Sequence, residues 1–158
     1  MLTLKCIVVG LIALLGIRMT EMLCSAEKTK TELILSFAEA ISDIRCSLSW
    51  AEIPAKEALL SVKSEPAKSF FYALSHKLGE EKITFPKELP EEAAREISSF
   101  MAMLYAAPEA ESLAEEAEKR EKRLFLLYEK RKGETEKRCG VIRACGLSLS
   151  LGLAILLI

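Results

Sequence analysis

Two stretches of this chain, Cys6–Ile17 and Ala144–Ile158, carry no charge, while the residues between them are densely charged. A helix needs about 20 mostly apolar residues to cross the hydrocarbon core of a bilayer. The pattern therefore predicts two membrane segments holding a polar middle. The C-terminal one is the stronger. Across Cys139–Ile158 only Arg143 is charged, and near the start of the segment its side chain can snorkel to the headgroups. The segment runs to the last residue of the sequence.

The N-terminal run, Met1–Ile17, contains Lys5 and must continue through Arg18–Leu23 to reach full length. It can be read as an uncleaved anchor over residues 1–23, or as a signal peptide cleaved after Ala26, with Cys24 and Ala26 as the small residues a cleavage enzyme needs. Arg18 and Glu21 stand between the apolar core and that cleavage point, where signal peptides are usually neutral, so the anchor is preferred. Glu21, Met22 and Leu23 before Cys24 exclude a lipoprotein site.

Orientation follows from the basic residues beside the membrane segments. Lys130, Arg131, Lys132, Lys137, Arg138 and Arg143 flank the second segment on its inner side, and Arg18, Lys28 and Lys30 flank the first; the outer side has only Lys5. The middle, residues 27–138, is then expected in the cytoplasm, and the protein in the cell membrane as a two-pass hairpin.

That middle, about 110 residues, is long enough for one domain with its own core. With 22 basic and 23 acidic residues interspersed along the chain, nothing resembles a nucleic-acid-binding surface. The five cysteines, Cys6, Cys24, Cys46, Cys139 and Cys145, form an odd set without paired spacing, which argues against a disulfide framework. Cys139 and Cys24 are candidate palmitoylation positions; the simpler reading is small apolar residues.

Prolines divide the middle into helices. Leu33, Phe37, Ala40, Ile41, Ile44 and Leu48 recur at steps of three and four, the stripe of an amphipathic helix over Glu27–Leu48. Pro54 opens a short helix from Ala55 to about Lys63. A third starts near Pro66, turns Phe70, Phe71, Leu74 and Leu78 inward, and ends at Gly79. Glu80–Pro90 reads as a loop. Glu91–Ala107 forms a fourth helix with Ala94, Ile97, Met101 and Leu104 on one face, and no strand pattern occurs. Trp50 reads as a packing plug between the first two helices.

From Glu109 a long charged helix runs toward the membrane, with Gly133 and Gly140 as points of interruption. Glu115 with Lys119, Glu116 with Arg120, and Glu118 with Lys122 stand four apart in the favoured acid-before-base order, worth about 0.2–0.5 kcal/mol each. Leu113, Ala117, Leu124, Leu127 and Tyr128 make a thinner apolar seam suited to packing on another helix.

Groups able to carry chemistry are scarce. His76 is the only histidine, read as structural at the end of the third helix, and neither it nor the scattered cysteines offer a metal-ligand set. The glycines do not cluster into a phosphate-binding loop. Paired acids such as Glu80–Glu81 and Glu91–Glu92 fit helix starts or solvent. We expect no catalytic residue, cofactor, metal or small-molecule substrate. The last segment is richer: Ala144, Ser148 and Gly152 recur every fourth residue on one face, and Gly146, Ser150 and Ala154 on the next. Small residues so spaced let membrane helices approach closely.

Asp43-Ile44-Arg45, followed by Ile53-Pro54-Ala55-Lys56-Glu57-Ala58-Leu59, resembles the acid-Ile and Pro-x-x-Glu-Ala-Leu signature of the stage III sporulation protein AB family. Arg143-Ala144-Cys145-Gly146 leading into Leu147–Ile158 is similar to that family's Arg-x-x-Gly run into a terminal apolar helix. The order of parts matches over nearly the whole chain. It departs at Cys46, where the family usually has tyrosine, at Ala55 in place of leucine, and at Leu104–Pro108, which lacks the Leu-Gly-x-x-Asp turn before the last helix. The resemblance implies an all-helical domain similar to the cytoplasmic domain of the type II secretion platform protein, in a complex joining mother cell to forespore.

Together these readings give an all-α protein, an antiparallel helical bundle flanked by an N-terminal and a C-terminal transmembrane helix. Its expected role is a non-catalytic platform subunit that packs with other membrane subunits and docks a secretion-type ATPase. The packing residues are Ala144, Gly146, Ser148, Ser150, Gly152 and Ala154; the docking residues are Asp43, Arg45 and Glu57 at one corner and Glu115, Lys119 and Arg123 on the charged helix. The competing reading is an exported helical adaptor or sensor, held by its C-terminal helix after loss of the signal peptide.

Overall fold

The computed structural model describes residues 2–51, 54–76, 84–106 and 110–157. Every regular element among them is helical: α1 (Leu2–Ala51), α2 (Ala55–Leu60), α3 (Ala67–His76), α4 (Glu91–Tyr105) and α5 (Ala110–Leu157). The chain divides into two compact units. One is a hairpin of Met1–Thr29 with Arg131–Ile158; the other is a helical body, Lys30–Lys130.

Two expected breaks do not occur. The anchor and the first amphipathic helix are one continuous α1, because residues 18–30, though polar, include neither proline nor glycine. Helix α5 likewise runs without a break through Gly133 and Gly140. Each glycine costs about 1 kcal/mol relative to alanine, too little to end a helix whose neighbouring turns are already formed, since propagation is far easier than nucleation.

Prolines set the other boundaries. Pro54 leads into α2, its carbonyl accepting the N–H groups of Glu57 at 2.9 Å and Ala58 at 3.0 Å. The helix stops at Ser61, sooner than expected, where the hydroxyl donates to the Ala58 carbonyl at 2.7 Å. Pro90 leads into α4, and Glu91 and Glu92 occupy its first turn, where acids favour the positive end of the helix dipole. Helix α3 is described only as far as His76, so the expected Leu78 and Gly79 ending lies outside the described residues. His76 itself is exposed, and its ring meets Tyr72 edge-on at 4.7 Å. The side chain of Trp50 is likewise outside them.

The core of the body is the stripe of α1 covered by the other helices. Phe37, Ala38, Ala40, Ile41 and Ile44 are fully buried with Phe71, Ala93, Ile97, Phe100, Met101, Ala117 and Leu124. Phe37 meets Phe70 at 5.2 Å and Phe71 at 5.8 Å between ring centroids, both edge-on. Burial of such a side chain contributes about 1.5–3 kcal/mol. In α4, Ala93 rather than Ala94 turns fully inward.

Polar atoms within the body find partners. Ser36, buried on α1, accepts the N–H of Ala67 at 3.1 Å and so caps the start of α3. Among the described residues no buried side-chain nitrogen or oxygen lacks a hydrogen bond.

One helix among the described residues, Val8–Ser49 near the N-terminus, contains a window long and apolar enough to cross a membrane, and that window is almost wholly unburied. The expected second span, Cys139–Ile158, does not meet that criterion there; the side chains of Ala154 and Leu157, and all of Ile158, lie outside the described residues.

Candidate functional site

The hairpin is held by a seam of small residues. On α1, Gly16, Thr20 and Cys24 recur every fourth position; on α5, Cys139, Gly146 and Ser150 face them. A Cβ added at Gly16 would collide with the Ser150 side chain, and one at Gly146 with the Thr20 side chain. At both places a side chain of the opposing helix fills the space a Cβ would take, so glycine lets the two helices approach closely, as small residues do between membrane helices.

The hydroxyls along this seam are satisfied within their own helices. Thr20 Oγ1 donates to the Ile17 carbonyl at 2.7 Å and Ser150 Oγ to the Gly146 carbonyl at 2.8 Å. Thr20 thereby presents its methyl to Gly146 and Ser150 its hydroxyl oxygen to Gly16, and neither donor is left bare in an apolar setting. Further along, Cys24 and Cys139 are both buried. The Cys24 thiol donates to the Cys139 carbonyl at 3.8 Å, and the Cys139 thiol to the Cys24 carbonyl at 3.9 Å. Burial leaves neither open to the acylation considered for them. Arg138 and Glu27 approach to 3.9 Å just beyond.

Of the two small-residue rows expected for packing, Gly146 and Ser150 therefore lie against α1 of the same chain, and the side chain of Ala154 is outside the described residues. The other row, Ala144, Ser148 and Gly152, is exposed, and a Cβ at Gly152 would meet open space. Gly16, Thr20 and Cys24 were missed as partners, although their four-residue spacing was visible.

The docking residues divide in a similar way. The Asp43 carboxylate accepts the Lys63 N–H at 2.9 Å, securing the segment after α2, and Arg45 donates to Glu121 at 2.8 Å, tying α1 to α5. These two are engaged inside the body. Glu57 and Glu115 are exposed. Lys119 turns to Glu116 at 3.4 Å rather than to the expected Glu115, whereas the expected pairs Glu116–Arg120 (2.8 Å) and Glu118–Lys122 (2.6 Å) form.

Arg120 also bridges to Glu96 of α4 at 2.6 Å, and Arg123 lies 3.5 Å from the same carboxylate. This network borders a groove of about 470 Å³ between α4 and α5, lined by Glu92, Arg95, Glu96, Arg123, Leu126, Leu127 and Lys130. Leu126 is 71% exposed there, among the most exposed large apolar side chains of the body. Partial burial pushes the Glu116 carboxyl upward, but hydrogen bonds from Arg120 and Lys119, with their charges, outweigh it and hold the group below its ordinary value. Arg120 is pushed down by burial and, more strongly, up by its bonds to Glu96 and Glu116, so it stays charged.

No protein-family model, curated protein or solved structure matches this chain.

The seam predicts a contrast between glycines on the same pair of helices. Gly16→Leu and Gly146→Leu, which force bulk into an occupied space, should each destabilise the hairpin by about 1–3 kcal/mol, and Gly152→Leu should leave it unchanged, read as thermal unfolding in detergent micelles. The charged network predicts a pH effect. A carboxyl held below its ordinary value of 4.5 adds stability above that pH, and the contribution is lost as the pH falls through the lower folded value. Glu116→Gln should therefore flatten the decline in stability below about pH 4.5, measured by urea unfolding across acid pH.

Proposed function

We propose that this chain is a non-catalytic membrane scaffold subunit: a two-pass hairpin that carries its helical body in the cytoplasm, packs against other membrane subunits, and offers the body to a cytoplasmic ATPase. One observation carries the reading. Among the described residues, all but four of the exposed large apolar side chains belong to the hairpin, from Val8 to Leu23 and from Val141 to Leu156. An apolar surface on that scale needs lipid or protein around it. The seam leaves Leu11, Leu14, Leu147 and Leu151 facing outward, the inside-out arrangement expected where lipid replaces water.

The basic residues flanking both arms favour a cytoplasmic body by the positive-inside rule. The exposed Ala144, Ser148 and Gly152 row is the face offered to other membrane subunits. For the ATPase, the α4/α5 groove with Leu126 and Arg123 is a better candidate than the Asp43–Arg45 corner, whose charges are already engaged. On the resemblance of its motifs to the stage III sporulation protein AB family, we read such a subunit as part of a secretion-like channel of sporulating cells, on the mother-cell side. Against the exported reading, Arg18 and Glu21 stand between the apolar run and the cleavage point after Ala26, where signal peptides are usually neutral.

Replacing both Ser148 and Gly152 by leucine tests the packing claim. The doubly substituted chain should remain folded in the membrane but migrate in native electrophoresis as a smaller species than the wild-type assembly. Unchanged migration would remove that face from the interface. Cys46, exposed on the body, should react with an impermeant maleimide only after cells are opened. Labelling of intact cells would instead support the exported form.

A further inference from the structure

We propose that Cys24 and Cys139 are a redox pair that can close into an intramolecular disulfide across the seam. This rests on the hairpin geometry and not on the scaffold role. Each thiol lies against the other residue's backbone carbonyl, at 3.8 and 3.9 Å. The contact is thus reciprocal, with the two residues directly opposed where the helices come close. Both are almost fully buried, Cys24 at 2% and Cys139 at 5% exposure. Cys46 and Cys145, by contrast, are exposed. The small residues Thr20 and Gly146 on one side and the Glu27–Arg138 pair on the other keep this level of the hairpin tight. Disulfides require their two backbones to be near each other, with side chains directed across the gap.

The oxidant is a low-molecular-weight disulfide of the oxidised-glutathione type. One cysteine, as thiolate, attacks a sulfur of that disulfide; the external S–S bond breaks and one reduced small thiol leaves. The second cysteine attacks the protein sulfur of the mixed disulfide, forming the Cys24–Cys139 bond and expelling the second small thiol. Two electrons pass from the pair to the oxidant. The two protons lost by the protein thiols equal the two gained by the departing thiols. Burial shapes the outcome, because attack needs a brief opening of the seam, and on reclosing the neighbouring thiol displaces the adduct before a lasting one accumulates. The product is a covalent staple between α1 and α5, fixing a seam otherwise held by noncovalent contacts.

The test uses the full-length chain in lipid vesicles, with Cys6, Cys46 and Cys145 replaced by alanine. After treatment with oxidised glutathione and then N-ethylmaleimide, intact mass should show a monomer two hydrogens lighter, without maleimide, and dithiothreitol should restore both reactive thiols. Closure should be about 10-fold or more faster than between Cys24 and Cys145 in a chain carrying Cys139→Ala, because effective concentration follows proximity. Peptide mapping of the unsubstituted chain should find the same Cys24–Cys139 link, guarding against misfolding of the substituted one. Persistent glutathione adducts on both residues, cross-linked dimers, thiols that stay reduced, or a rate equal to the Cys145 control would each overturn the proposal.

Discussion

The seating of Ser150 on Gly16 and of Thr20 on Gly146 is the contact on which the hairpin depends. If lipid surrounds the hairpin, as proposed, bringing its apolar helices together brings no hydrophobic gain, and association must come from close van der Waals packing. Side chains larger than those of the seam would hold α1 and α5 apart. With Gly16 under Ser150 and Gly146 under Thr20, a short side chain of each helix seats on a glycine of the other. Their hydroxyls are already bonded to carbonyls one turn away, so the contact buries no unsatisfied donor. The large side chains, Leu11, Leu14, Leu149 and Leu153 among them, are left for the outer surface.

The body obeys the opposite rule. Its phenylalanines and isoleucines turn inward and its charges outward, as in a domain surrounded by water. The shielded ion pairs that span helices, Arg120 with Glu96 and Arg45 with Glu121, join α5 to α4 and to α1. Pairs confined to one exposed helix turn, such as Glu118 with Lys122, add little. The same side chains that looked available for a partner, Asp43 and Arg45, prove to be internal fasteners, while an apolar residue without obvious purpose, Leu126, stands in the groove. A scaffold reading shifts its docking face accordingly.

Much of the fold was legible. Pro54, Pro66 and Pro90 marked the helix starts, since a proline ring fits a first turn or the residue before it and little else in a helix. The stripe from Leu33 to Leu48 gave the inner face of α1, and Ile97, Met101 and Leu104 that of α4. The unity of α1 and α5 was not legible, because a change from apolar to charged residues looks like a boundary although the backbone has no reason to stop there. Half of the site could be read. The rows of small residues on α5 were visible, but which row meets α1 depends on the register between helices distant in sequence, and a single helix pattern carries no record of its partner. For the same reason Cys24 and Cys139 looked like two unrelated thiols.

A distance across the hairpin tests the central claim most directly. Spin labels at the exposed positions Leu14 and Leu153, close to the level of the Gly16–Ser150 contact, should report one narrow intramolecular distance when labelled chains are diluted with unlabelled ones in a bilayer. That distance should match helices whose axes lie about 8–10 Å apart, allowing for the length of the labels. A broad distribution at much greater separation, or a coupling that vanishes on dilution, would show that α1 and α5 of one chain are not paired.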